Sequence, residues 1–311
     1  MSLCLVTGGA GFIGSHLVEA LLQQGQRVRV FDNLATGRLE NLAPVRPHIE
    51  FVQGDICNEA VVEQAMAGVE LVFHLAALVS VPQSMARPHE AESINVVGTL
   101  NLLQAARAAG VRRLMLSSTC AIYGDEPTLP KIESMPPQPQ SPYAISKLAA
   151  EQYCQLFAAA FGLETVVLRY FNVFGPRQDP ASPYSGVISI FVERLSQGLP
   201  VTIFGSGEQT RDFVFVSDVV RANLLAAQAP EVAGQLFNIG TGRATSINQL
   251  FAQLRELCHY HGEPRYHPPR PGDVLHSYAD ASRAAALLDW RPQVEFQNGL
   301  KTLTDNLSAA R

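Results

Sequence analysis

Leu3-Cys4-Leu5-Val6-Thr7-Gly8-Gly9-Ala10-Gly11-Phe12-Ile13-Gly14 is the stretch that decides the fold. Its apolar start reads as a short buried strand ending at glycines, with Gly8, Gly11 and Gly14 spaced three apart. Leu17, Val18, Leu21 and Leu22 then recur at helical spacing up to Gln24. A strand, a glycine turn and a helix in this order make a seat for a pyrophosphate. The turn needs unusual φ/ψ, the backbone must approach the phosphates, and the helix must pack close to the strand. The spacing is GxxGxxG rather than GxGxxG. Asp32 ends the next strand, Arg27–Phe31, where a carboxylate accepts hydrogen bonds from the adenosine ribose hydroxyls. It would repel a 2′-phosphate, so the pattern predicts NAD rather than NADP, with Arg38 placed to soften that preference.

The alternation continues with strands at Ile49–Gln53, Leu71–His74, Arg113–Ser117 and Glu164–Arg169. Helices are predicted at Glu59–Ala67, Ile94–Ala109 and Tyr143–Phe161. Strands alternating with helices mean a doubly wound α/β fold, a parallel sheet covered on both faces. Beyond about residue 175, Pro176, Pro180 and Pro183 break the rhythm. A helix at Ile188–Gln197, short strands at Val201–Phe204 and Phe213–Val216, a helix at Val219–Ala227 and a strand at Leu236–Ile239 follow. The expected organisation is a Rossmann-type domain over 1–175, with segments around 213–240 crossing back, and a smaller α/β lobe over 176–311.

With 311 residues, 47% hydrophobic and 16% charged, the chain has the profile of a folded globule with ample core. A net charge of −5 gives no reason to expect a nucleic acid or an acidic membrane as partner. Five scattered cysteines without CxxC or Cys/His spacing predict reduced thiols and no metal site. Neither an apolar run long enough to span a membrane nor a signal-peptide pattern occurs, so the expected location is the cytoplasm.

Tyr143 and Lys147 are four residues apart on one helix face, after Pro142 as a start signal. A free phenol titrates near 10, too high for a base at neutral pH. A neighbouring ammonium and a cationic nicotinamide ring would favour the phenolate and lower that value. Such a pair removes a proton from an alcohol while hydride leaves the same carbon.

The residues around these motifs extend the reading. Thr7 to Gly14, Asp32-Asn33-Leu34, Gly54-Asp55-Ile56, His74-Leu75-Ala76-Ala77, Ser117-Ser118-Thr119 and Tyr143 to Lys147 resemble the extended short-chain dehydrogenase/reductases. Arg169-Tyr170-Phe171-Asn172, Arg211-Asp212-Phe213 and Arg270-Pro271-Gly272-Asp273 narrow the resemblance to UDP-sugar 4-epimerases. It implies Tyr143 as base, Lys147 as its electrostatic partner and ribose ligand, and Thr119 against the reacting sugar oxygen, with Ser118 as second choice. Asp55 and Ile56 would flank adenine, and Ala76, Ala77, Asn95 and Ser117 would line the cofactor path. Phe12, Ile13, Asn33, Gly37, Leu75 and Tyr170 complete the implied cofactor set. Asn172 would hold the sugar or diphosphate, Arg211 and Arg270 would clamp the diphosphate, and Asp273 would take a uridine ribose hydroxyl or orient Arg270. Ser80, Val187 and Phe204 complete the implied substrate set.

Related nucleotide-sugar dehydratases carry Thr-Asp-Glu, and decarboxylases Thr-Ser-Glu, where this chain has Thr119-Cys120-Ala121. Eliminating water needs an acid/base pair that Cys120 and Ala121 cannot supply. Cys120 lies one residue off the position used by cysteine-dependent relatives, so it reads as packing. The simplest chemistry left is reversible oxidation at sugar C4, with NAD regenerated each turnover. Ser277 falls where relatives restricted to UDP-glucose and UDP-galactose carry a tyrosine, leaving room for a 2-acetamido group. The expected substrates are therefore UDP-GlcNAc and UDP-GalNAc as well as UDP-Glc and UDP-Gal. The alternatives are a UDP-uronate 4-epimerase or another UDP-sugar enzyme, and, from another class, a non-catalytic NAD-binding sensor. In the family, helices matching Ile94–Ala109 and Tyr143–Phe161 form a dimer interface, so a homodimer is expected.

Overall fold

The computed structural model describes residues 1–179, 186–269 and 274–309, with side chains to 305. Along the chain come β1 (Leu3–Thr7), α1 (Phe12–Gln23), β2 (Arg27–Asp32), a 3₁₀ stretch (Leu39–His48), β3 (Ile49–Gln53), α2 (Glu59–Met66) and β4 (Leu71–His74). Next are α3 (Val81–Ala86), α4 (Pro88–Glu92), a π-type turn (Ser93–Val97), α5 (Gly98–Ala108), β5 (Arg113–Thr119), α6 (Pro142–Phe161), β6 (Glu164–Tyr170) and β7 (Asn172–Phe174). Then follow α7 (Val187–Ser196), β8 (Thr202–Phe204), β9 (Thr210–Arg211), β10 (Phe213–Phe215), α8 (Val216–Gln228) and β11 (Gln235–Ile239). The described chain closes with β12 (Thr245–Ser246), α9 (Ile247–Leu257), β13 (Arg265–His267), β14 (His276–Ser277), α10 (Ser282–Leu288) and α11 (Phe296–Ala309).

Seven strands form one parallel sheet in the order β11-β6-β5-β4-β1-β2-β3. The order reverses between β1 and β4, and in such a sheet the ligand crevice opens outside the carboxyl ends of those strands. Both faces are covered, as the apolar runs require. Cys4 and Val6 of β1 face a core shared with Leu17 of α1 and Val219 of α8. Leu3 and Leu5 face another, shared with Leu103 of α5 and Cys154 of α6. A third core, around Phe174, Phe191, Phe213 and Phe251, joins α7, α9 and α11 to the short strands. The chain also returns late to the large sheet. Trp290 is fully buried in the same core as Cys4, and its indole N–H donates to the Asp218 carbonyl at 2.9 Å. The Asp218 carboxylate accepts from the amides of Gln293 at 2.9 Å and Val294 at 3.0 Å.

One predicted helix is not continuous. Residues 94–109 begin inside the π-type turn, and only α5 is regular. The cause is tertiary. Asn95 in that turn accepts from the Leu78 N–H at 2.8 Å and donates to the Leu78 carbonyl at 3.0 Å and to Ser146 Oγ at 2.9 Å. Such turns inside helices recur near functional sites. Helices α3, α4, α9, α10 and α11 are additions to those predicted from the apolar spacing.

Candidate active site

The glycine turn forms the floor of the crevice. Gly8 has φ of +67°, and a Cβ built there would lie 2.7 Å from the Ala76 nitrogen, so only glycine lets β1 pass this close to the loop after β4. A Cβ at Gly14 would lie 2.2 Å from the Gly8 carbonyl oxygen, which fixes how closely α1 packs on the turn. Gly11 caps α1 with no side-chain hydrogen bond, and the first turn holds no acidic residue. The first N–H groups of α1, beginning at Phe12 and Ile13, therefore keep their donors and the positive end of the helix dipole for an outside anion. Asp32 accepts from the Ala10 N–H at 2.9 Å and the Leu34 N–H at 2.8 Å. Gly37 lies so close that a Cβ there would approach both Asp32 oxygens at 2.9 Å. Beside it, Asn33 donates to Asp55 at 2.9 Å, and the Cys57 N–H donates to the other Asp55 oxygen at 2.8 Å. Burial opposes ionisation of Asp55, but these donors prevail and hold its carboxyl below the usual range. Ile56 is buried under Gly98, and Leu75, Ala76 and Ala77 follow β4 at the crevice wall. Arg38 pairs with Asp179 at 2.5 Å. The free helix terminus and the glycine contacts fit a dinucleotide.

Tyr143 and Lys147 start α6, where Ser141 Oγ accepts from the Ala144 N–H at 3.1 Å and Pro142 occupies the first turn. Thr119 ends β5 at the same edge of the sheet, where its hydroxyl favours the Tyr143 phenolate. Burial pushes Tyr143 up to about 12, against the smaller effect of that hydroxyl. Within the chain alone burial outweighs the Thr119 hydroxyl; the lowered phenol expected from the sequence also calls for the cationic nicotinamide ring. Burial also draws Lys147 down to about 8, with Glu151 opposing it. His74, pushed to about 3 by burial and by Lys147, stands neutral between Thr7 Oγ1 at 2.8 Å and Thr99 Oγ1 at 2.9 Å.

Four of the expected site residues spend polar atoms on partners within the chain. Ser118 alternates away from Thr119 along β5, and its hydroxyl donates to Glu151 at 2.5 Å on the α6 side of the sheet. The polar atoms of Asn95 are spent on Leu78 and Ser146, so it holds the wall of the crevice instead of lining it. Tyr170 lies in the core with its hydroxyl accepting from Asn223 at 2.7 Å, which leaves only its backbone near the crevice. Ser80 is buried and caps α3, accepting from the Gln83 N–H at 2.9 Å. Ser117 donates to the His74 carbonyl at 3.0 Å, tying β5 to β4 beneath the cofactor path.

On the substrate side, Ser277 pairs with Arg211 across β14 and β9 and is buried. Burial pushes the Cys120 thiol up to about 11, against a smaller lowering effect of Ser277, so it stays protonated. It packs against Tyr123, Phe171 and Ala279, as a packing residue should. Arg211 donates to the Thr210 carbonyl at 2.9 Å. Asn172 opens β7, and its buried Oδ1 has no partner among the described residues, as a group that meets a ligand would show. Val187 begins α7 and Phe204 ends β8, both in the second lobe. Arg270 and Asp273 lie outside the described residues. Asp212, next to Arg211 in the same motif, is a buried carboxylate to which the sequence reading assigns no role. Burial raises its pKa, and the N–H groups of Thr241, Gly242 and Ala279 donate to it. Among the described residues no cluster of His, Cys, Asp and Glu could hold a metal, and no helix is long and apolar enough to cross a membrane.

Comparison with known proteins agrees with this geometry. The model of the NAD dependent epimerase/dehydratase family matches residues 4–240. The UDP-glucose 4-epimerase of Mycolicibacterium smegmatis is 43% identical over 305 residues, 95% of each chain. The crystal structure of UDP-glucose 4-epimerase from Thermotoga maritima with UDP-glucose superposes with a TM-score of 0.95 at 44% identity, covering 99% of each chain. A UDP-N-acetylglucosamine 4-epimerase from Methanobrevibacter ruminantium, in complex with UDP-N-acetylmuramic acid, has a TM-score of 0.95 at 36% identity over 100% of this chain and 99% of that one.

Proposed function

The chain belongs to the NAD dependent epimerase/dehydratase family, and on that premise we propose that it is a 4-epimerase of UDP-hexoses, inverting C4 through a transient 4-keto sugar. The observation that carries the reading is the reacting corner itself. The Thr119 hydroxyl favours the Tyr143 phenolate, Lys147 lies one turn on, and Cys120 and Ala121 follow Thr119 where a dehydratase needs a second acid/base group.

NAD, held by the α1 N-terminus, Asp32 and Lys147, supplies a hydride acceptor and then donor for C4, together with a positive charge near the phenol. Tyr143 takes the proton from the C4 hydroxyl as the carbonyl forms and returns it when the carbonyl is reduced. Thr119 holds the phenol and the sugar oxygen in one line. The Lys147 ammonium favours the phenolate that burial disfavours. Arg211, with Asn172 and Arg270, anchors the diphosphate while the keto sugar turns to present its other face. The anchor therefore serves the turning step as well as affinity.

A serine at 277, backed by the small Cys120, leaves room for a 2-acetamido group, and a relative's UDP-N-acetylglucosamine epimerase name agrees with that breadth. A coupled assay of the four UDP-hexoses tests the reading. Wild type should turn over all four, and Ser277→Tyr should lose the acetamido sugars selectively. Unchanged acetamido turnover in Ser277→Tyr would remove the gating role, and no turnover of any UDP-hexose would remove the function.

On the same reading, residues 1–175 with the segments around 213–240 hold NAD, and 176–311 mainly hold the UDP-sugar, in a cytoplasmic enzyme. Exposed Ile145, Leu156 and Phe161 on α6, with Val97 beside α5, fit a homodimer through these helices. Light scattering should give twice 33.7 kDa.

A further inference from the structure

One carboxylate in the catalytic corner takes no part in the steps above. Glu151 lies one helical turn beyond Lys147 on α6, and its side chain is 2% exposed. Its Oε1 accepts from Ser118 Oγ at 2.5 Å and from Arg169 Nε at 2.9 Å, and its Oε2 accepts from Arg169 Nη2 at 2.7 Å. Arg169 lies over the Tyr123 ring at 4.8 Å, and its buried Nη1 has no acceptor among the described residues. The guanidinium is therefore held by Glu151 and a ring face. Three catalytic elements converge on this carboxylate: α6 with Tyr143 and Lys147, β5 whose last residue is Thr119, and β6 leading to Asn172. A buried ion pair is a poor device for stability alone, because apolar side chains of similar volume do as well or better.

We propose, resting on the 4-epimerase reading, that Glu151 is a positioning residue for the reaction: it fixes Thr119 through Ser118 and sets a negative charge against the Lys147 ammonium, with Arg169 as counter-ion. The surroundings of Lys147 make that charge decisive. His74 on β4 is neutral, and the Cys154 thiol on α6 is kept protonated by burial. Tyr143 stands one turn before it, also protonated in the chain alone. Glu151 is the larger influence opposing the desolvation of the ammonium; Cys154 would add to it only as a thiolate.

The chain has three lysines, Lys131, Lys147 and Lys301, so carbon-13 NMR at the lysine ε position reads Lys147 directly in the NAD-loaded protein. Glu151→Gln/Arg169→Gln removes both charges together and strands neither. Lys147 should then lose its proton about one pH unit lower, roughly a tenfold loss of proton affinity; an unchanged midpoint overturns the electrostatic half of the proposal. Ser118→Ala keeps the ion pair and cuts the tie to β5. Its kcat should fall about tenfold with KM within about twofold, and an unchanged kcat overturns the positional half. If the double variant does not fold, Glu151→Asp serves in its place: it keeps the charge and shortens the reach, so the Lys147 midpoint should hold while kcat falls. A shifted midpoint or an intact kcat in Glu151→Asp overturns the proposal. A wild-type protein inactive on every UDP-hexose would break the epimerase reading, and the titration would still decide this one.

Discussion

The first turns of α1 and α6 open onto the same crevice, and they are finished in opposite ways. At α1 the sequence withholds everything: Gly11 offers no capping side chain, and no acidic residue follows. At α6 Ser141 closes the backbone, Pro142 removes an amide hydrogen, and Tyr143 and Lys147 project the chemistry. A terminus whose donors stay free is built to meet something outside the chain. A terminus already satisfied is rigid, which suits side chains whose positions must hold to fractions of an ångström. On the proposed reading, the cofactor end works through backbone and the catalytic end through side chains.

Four experiments would sharpen or break that contrast. Tyr143→Phe deletes the proton acceptor at the side-chain end. Turnover of UDP-hexoses should fall by about 10²–10⁴-fold, while bound NAD, measured after release from the denatured protein, stays stoichiometric. Gly11→Asp supplies α1 with the cap it lacks. Its melting temperature should hold or rise, yet NAD affinity by calorimetry should drop at least about tenfold, because the new carboxylate competes with the pyrophosphate for the same donors. NAD binding unharmed by that cap would end the idea of a backbone seat. The third experiment is titration. Lys147 is depressed to about 8, so it is charged below that pH and neutral above it. Turnover should therefore fall several-fold from pH 7 to pH 9, with the NAD content measured alongside changing little. The smallest effect belongs to Ser141→Ala. Losing the cap should cost about 1 kcal/mol and a few degrees of melting temperature, with turnover lowered only a few-fold.

What is legible in the sequence divides along the same line. Glycine spacing, the apolar runs of β1 and β4 and the pair on α6 are local signals, and each names its own chemistry. Period two along β5 also carries the information that Ser118 and Thr119 face opposite ways, which is enough to exclude Ser118 from the sugar contact once Thr119 is given that role. Glu151 shows a signal as well, since Tyr143, Lys147 and Glu151 recur every four residues. Its partner Arg169 comes from another strand, and nothing local joins them. The interruption of 94–109 depends on Asn95 reaching Leu78 across the fold, beyond the range of any periodicity. Ser246 and Gln249 form a reciprocal cap at the start of α9, a signal that does lie in the local sequence. The elevated phenol of Tyr143 is a property of burial, which motifs do not report.

Trp290 has a consequence for synthesis. The sheet begins at residue 3, but its seventh strand arrives at Gln235, and the indole that fills the core beside Cys4 only at residue 290. A ribosome releases the glycine turn and the catalytic helix long before it releases their support. For the several seconds this takes, at roughly 5–20 residues per second, the free edge of β6 lacks β11, and the face that α1 covers in part lacks α8 and the indole. The enzyme's most recognisable half is thus the half that must wait, and its vulnerable period is set by a tryptophan far from any substrate.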